Sequence, residues 1–153
     1  DLVTIVPENR KELTTEGGLN ILSIQSKLTD IISQMKEKEI LVSLFVDPVP
    51  EVIDLSLEVG ADIIEIHTGK YANSVDEKSQ IKELGKIASV SRMAAEMGLV
   101  VTAGHGLNYY NIHPFLNIPE IREVSIGHAI ISRAVFTGLH KAVEDMIKII
   151  SKF

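Results

Sequence analysis

The sequence predicts an α/β protein built on a parallel sheet, and three observations predict it. Short runs rich in Ile, Leu and Val recur along the 153 residues, at 2–6, 40–46, 62–66, 99–102 and 122–126. Between them lie stretches with helical spacing of apolar residues. Hydrophobic residues are 45% of the chain but aromatics only 5%, so the core has to be aliphatic, the usual palette of parallel sheets.

The elements follow in order. Leu2 to Val6 reads as the first strand, stopped by Pro7. Glu8 to Leu13 is polar loop, and Thr14-Thr15-Glu16-Gly17-Gly18 is a turn-rich cluster. From Asn20 to Glu39, Ile21, Ile24, Leu28, Ile31, Ile32 and Met35 make one apolar helix face. Ile40 to Val46 is a continuous apolar strand that ends at Asp47-Pro48. Pro50 opens a helix over Glu51 to Val59, and Gly60 closes it. Asp62 to Ile66 is the third strand, with Thr68 to Ala72 read as loop. Asp76 to Met97 is a long amphipathic helix ending at Gly98. Leu99 to Thr102 is the fourth strand. Tyr110 to Ile118 holds a short helix broken by Pro114, and Arg122 to Ile126 is the fifth strand. Helical sequence then runs to Phe153 in two pieces joined near Thr137-Gly138.

Strict alternation of strand and helix implies parallel strands with right-handed crossovers. Two architectures fit: an open doubly wound sheet, or a section of a (β/α)8 barrel. A whole barrel has eight such units, and this sequence carries five.

Composition narrows the function. A formal net charge of −6 without a basic block argues against nucleic acid. No apolar run reaches membrane-spanning length and no signal peptide is visible, so a cytoplasmic protein is expected. The absence of cysteine removes disulfides, thiolate metal sites and cysteine nucleophiles together. His105, His113 and His128 have no spacing that sets two metal ligands on one helical face. Gly104-His105-Gly106 lacks the third glycine of a dinucleotide fingerprint.

Four places carry candidate chemistry. His105 stands between two glycines at the end of the fourth strand, where α/β folds hold their ligands. Its imidazole suits general acid or base work, against the plainer reading of a turn-capping histidine. Gly127-His128 leads from a strand into a helix, where free backbone N–H groups favour an anion. Glu65 lies in a strand expected to be buried, where an unpaired carboxylate costs several kcal/mol. A structural ion pair is its plainer reading, and His67, of the same side parity, either lines the site or partners Glu65. The hydroxyls and glycines of 14–18 suit a phosphate or sugar, a weak signal by itself.

Taken together, Ile5-Val6-Pro7-Glu8, Thr14-Thr15-Glu16-Gly17-Gly18-Leu19, Val42-Ser43-Leu44-Phe45, Ile64-Glu65-Ile66-His67-Thr68-Gly69, Ala103-Gly104-His105-Gly106-Leu107-Asn108-Tyr109 and Ile126-Gly127-His128-Ala129-Ile130-Ile131 occur in this order. The sequence thereby resembles the pyridoxine 5'-phosphate synthase family over essentially its whole length. The resemblance implies a TIM (β/α)8 barrel, with this chain expected as a single, incomplete barrel domain over 1–153 that holds the last five units. It implies condensation of 1-deoxy-D-xylulose 5-phosphate with 3-amino-1-hydroxyacetone 1-phosphate to pyridoxine 5'-phosphate, phosphate and water. No metal or organic cofactor is implied, the partners are small phosphorylated substrates, and a homo-oligomer is expected.

By the same resemblance, His105 corresponds to the proton donor and Glu65 to a transition-state-stabilising carboxylate. Gly106, Gly127 and His128 correspond to contacts with the aminoacetone phosphate, and Thr14 to a contact with the deoxyxylulose phosphate. The family's proton acceptors and phosphate-binding arginines have no counterpart in the sequence, and Thr102 stands where Asn is more usual. These departures imply a fragment that is poorly active alone. The competing expectations are a non-catalytic phosphate-binding open α/β domain and a half-barrel module that needs a partner chain.

Overall fold

Five parallel strands lie side by side in the order in which the chain makes them. They are β1 (Leu2–Ile5), β2 (Leu41–Val46), β3 (Ile63–His67), β4 (Val100–Gly104) and β5 (Ile121–Ser125). The helices between and after them are α1 (Ile21–Lys36), α2 (Pro50–Glu58), α3 (Gly69–Ala72), α4 (Glu77–Glu96), α5 (His128–Thr137) and α6 (Leu139–Ile150). A 3-10 turn at His113–Asn117 precedes β5. The structure is a computed structural model, and it describes residues 1–7 and 17–151.

The strand order decides between the two architectures. A doubly wound sheet reverses its order at a switch point, whereas strands laid down in sequence follow the path of a β/α barrel. The chain therefore has the α/β barrel arrangement, as a five-stranded section.

The two faces of this sheet differ because residues alternate between them. Val42, Leu44, Val46, Ile64, Ile66, Val101 and Ala103 are all buried on the helix side. Leu28 and Ile32 of α1, Ile53 of α2, and Ile87, Val90 and Ala94 of α4 belong to the same buried cluster. On the other face, Leu2, Leu41 and Val100 are about half exposed, at 52%, 50% and 45%. Above them on this face Phe45 pairs with Glu65, Glu65 with Thr102, and Thr102 with Glu123. The helix side is the core, and the opposite face carries the polar groups.

Helix ends follow the sequence signals. Asn20 caps α1 by accepting from the Ser23 N–H, and Asp76 caps α4 by accepting from the Ser79 N–H at 2.8 Å. Two expectations change. The 68–72 segment is not plain loop, because Gly69–Ala72 makes a single helical turn, closed by the Ala72 N–H to the Thr68 carbonyl. Buried Tyr71 holds that turn by donating its hydroxyl to the Asn111 carbonyl at 2.6 Å. Pro114 does not break a helix either, since it sits in the first turn of the 3-10 segment, where a missing N–H costs nothing.

Candidate active site

β3 and β4 each run further than their apolar residues suggested, and this builds the site. β3 ends at His67 rather than Ile66, and β4 at Gly104 rather than Thr102. His67 and Gly104 are paired in register. The next residue, His105, adopts φ = +83°, a conformation that side chains other than glycine seldom take. Such a residue costs on the order of 1–3 kcal/mol and persists only where its surroundings over-determine it.

The surroundings here do so. The hydroxyl of fully buried Thr68 is 2.8 Å from the Gly104 carbonyl and 2.5 Å from the His105 carbonyl. The Thr68 N–H also donates to the Gly104 carbonyl, at 2.9 Å. Beyond the histidine, Asn108 accepts from the Tyr110 and Asn111 N–H groups, and the Asn111 amide donates to the Gly106 carbonyl. Tyr109 donates its hydroxyl to the Ala142 carbonyl of α6 at 2.8 Å.

Glycine makes the room. A Cβ on Gly69 would stand 2.5 Å from His67 Nε2 and 3.2 Å from His105 Cδ2. A Cβ on Gly104 would collide with the Glu65 carboxylate. The two histidine rings and the carboxylate fit only because these positions lack side chains.

Glu65 is half-buried, and burial raises its carboxyl pKa above the usual value. A hydrogen bond from Ser125 opposes that rise, and the charge of Glu123 reinforces it. His67 does not partner Glu65. Its Nδ1 lies 2.9 Å from Asp47 Oδ1, because β3 carries the ring past Glu65 to the strand ends, where Asp47 follows β2. The hydrogen bond from His67 is the largest of the effects that hold Asp47 below its ordinary pKa. The His105 pKa is lowered, first by burial and then by the positive charge His67 and His128 can carry.

One cavity of about 690 Å³ is lined by Phe45, Glu65, His105, Gly106, Ser125, Gly127 and His128, among others. Five of the six residues picked out by sequence thus meet in one place. The sixth, Thr14, lies outside the described residues. His113 opens the 3-10 turn, is exposed, and does not line this cavity. Gly127 precedes and His128 begins the ten-residue α5, and no side chain caps its first turn among the described residues. Its leading N–H groups and the helix dipole are available to an anion. Among the described residues no group of three or more His, Asp or Glu could hold a metal ion. Nor is any helix among them long and apolar enough to cross a membrane.

Sequence reading missed Asp47, Thr68 and Ser125. Asp47 looked like a strand stop, and Thr68 like part of a loop. The available signal was positional, since Asp47 and Ser125 each end or follow a strand at the C-terminal edge, where barrel sites are made.

A β/α-barrel arrangement with a histidine held beside an open helix N-terminus defines a site with room for an anion next to an imidazole. The model of the family described as pyridoxal phosphate biosynthesis protein PdxJ matches residues 1–152, and the chain belongs to that family. It is 50% identical over 150 residues to a pyridoxine 5'-phosphate synthase of Chlorobium phaeobacteroides (strain DSM 266 / SMG 266 / 2430), covering 98% of this chain and 64% of the relative. It is 53% identical over 148 residues to that of Sulfurihydrogenibium sp. (strain YO3AOP1), covering 97% and 60%. It is 52% identical over 149 residues to that of Trichlorobacter lovleyi, covering 97% and 62%. The chain therefore spans about three fifths of the length of these relatives.

Proposed function

We propose that the protein is a pyridoxine 5'-phosphate synthase, and that the 1–153 barrel section contributes its proton donor and one phosphate site. The reaction is the condensation of 1-deoxy-D-xylulose 5-phosphate with 3-amino-1-hydroxyacetone 1-phosphate, releasing phosphate and water. The observation that carries this reading is the single cavity lined by Glu65, His105, Gly106, Gly127 and His128.

Each side chain has a role suited to its setting. The aminoacetone phosphate sits against Gly106, Gly127 and His128, where the α5 N–H groups meet its charge. His105 gives up a proton to a leaving oxygen. Burial lowers its pKa, and a phosphate dianion alongside acts in the opposite sense, favouring the protonated ring that a donor needs. Glu65 stabilises positive charge that develops on the condensing amine, an effect strengthened by its partial burial. Thr14 contacts the deoxyxylulose phosphate. No step calls on a metal or organic cofactor.

The protein acts in the cytoplasm as a homo-oligomer. Support for self-association comes from the exposed apolar side chains Ile131, Val135, Phe136 and Leu139 on α5 and α6.

The test is product formation from the two phosphorylated substrates, by the 153-residue chain and by a chain of the relatives' full length, each beside its His105→Ala variant. Product from either parent, lost in its variant, supports the proposal. Phosphate binding without product from either would favour a binding domain instead.

A further inference from the structure

We infer that His67, oriented by Asp47, is a positioning residue that fixes the ring of His105 and tunes its proton affinity. The inference rests on His105 being the acid–base group of the proposed synthase, and it adds two residues to that site.

The geometry is a chain of contacts across three strand ends. Asp47 accepts a hydrogen bond from the Gly18 N–H on one side and faces His67 Nδ1 on the other. That contact keeps a proton on Nδ1, so in the neutral ring Nε2 is the bare nitrogen. His67 is 5% exposed, and its Nε2 is buried with no hydrogen-bond partner among the described residues. A buried imidazole nitrogen left without a partner is costly and calls for an explanation. Nε2 is directed at the space left by Gly69, beside the His105 ring. The two imidazoles meet edge to face, with centroids 5.0 Å apart and planes at 67°. Phe45 closes the other side of His67 at 5.1 Å.

His67 is thus wedged between Phe45, Asp47 and His105, and does not line the cavity. Its effect on His105 is steric and electrostatic. The ring wall limits the orientations open to His105, and any positive charge on His67 makes a second charge on His105 harder to place. The other ionisable groups about this pair are Lys70, which adds to the field on Asp47, His128 across the cavity, and Glu65 with its neighbour Glu123.

The test reads His105 directly, by NMR titration of ¹³C/¹⁵N-histidine-labelled 153-residue chain, in the parent and in His67→Gln, Asp47→Asn and Asp47→Ala. Removal of the chargeable ring in His67→Gln is expected to raise the His105 midpoint. Asp47→Asn keeps an acceptor for the Nδ1–H, so the His105 ring shifts and tautomer balance stay near the parent. Asp47→Ala loses the acceptor and moves both. A His105 that titrates unchanged in His67→Gln, or equal behaviour of the two Asp47 variants, overturns the inference. If His67→Gln fails to fold, judged by amide dispersion, the Asp47 pair decides alone. The readout needs no substrate, so failure of the synthase reading would show in the turnover assay and not here. Where turnover is measured, Asp47→Ala lowers kcat with KM little changed, whereas general loosening of the site would raise KM.

Discussion

The turns after β4 and β5 lie side by side and line the same cavity, yet they are built in opposite ways. The β4 turn is tied down at almost every residue. Thr68 holds the carbonyls of Gly104 and His105, Asn108 and Asn111 hold the following backbone, and Tyr109 reaches α6. The β5 turn is open. Among the described residues, none beyond its chain neighbours comes within 4 Å of where a Cβ on Gly127 would stand, His128 is exposed, and α5 begins without a side-chain cap. The difference fits the work proposed for each turn. A proton-transferring ring has to be held in one orientation, and that means supporting a strained backbone. An anion needs only free N–H groups in reach, and any side chain that capped them would compete with it.

The largest expected effect separates the two turns by kinetics. His105→Ala lowers kcat by about 10²–10⁴-fold with KM changed little, as for removal of a general acid. His128→Ala raises KM about tenfold, the loss of one charge-assisted hydrogen bond. Steady-state assays with the aminoacetone phosphate varied distinguish them, and similar kinetic profiles for the two variants would erase the contrast.

Next come stabilities, read by denaturant unfolding. Thr68→Val leaves buried carbonyls of the β4 turn short of a donor and costs about 1–3 kcal/mol. Gly69→Ala forces a methyl against His67 and His105 and costs about as much. Gly127→Ala meets open space and changes stability by less than about 0.5 kcal/mol, while weakening phosphate binding by crowding the α5 amides. Equal losses at Gly69 and Gly127 would mean that the β4 turn is no more constrained than its neighbour.

The smallest effect concerns Glu65. Its folded pKa is raised by burial, so its contribution to stability is present at low pH and is lost as pH rises through that raised value. Glu65→Gln should therefore raise the melting temperature at pH 7 by about 1–2 °C and leave it unchanged near pH 4. Scanning calorimetry at the two pH values checks the sign.

The path of the sheet was legible because each strand is a dense aliphatic run and each long helix carries its own cap or stop, such as Asp76 and Gly98. Glu65, His105 and Gly127-His128 were legible because a carboxylate in an apolar strand and glycine-framed strand ends are conspicuous in one dimension. The support was not. Asp47 meets His67 twenty residues on, and Thr68 meets His105 thirty-seven residues on, through a register that no local pattern encodes. The paired ends of β3 and β4 hid the same way, since His67 and Gly104 are not residues that mark a strand by propensity.

The most direct test of the central claim, an acid–base ring beside an anion-holding turn, is the titration midpoint of His105 with and without saturating inorganic phosphate, read by histidine-labelled NMR. Phosphate at the α5 N-terminus should shift the Gly127 and His128 amides and move the His105 midpoint upward. A midpoint that stays put while phosphate binds, or amides at the β5 turn that do not respond, would contradict it.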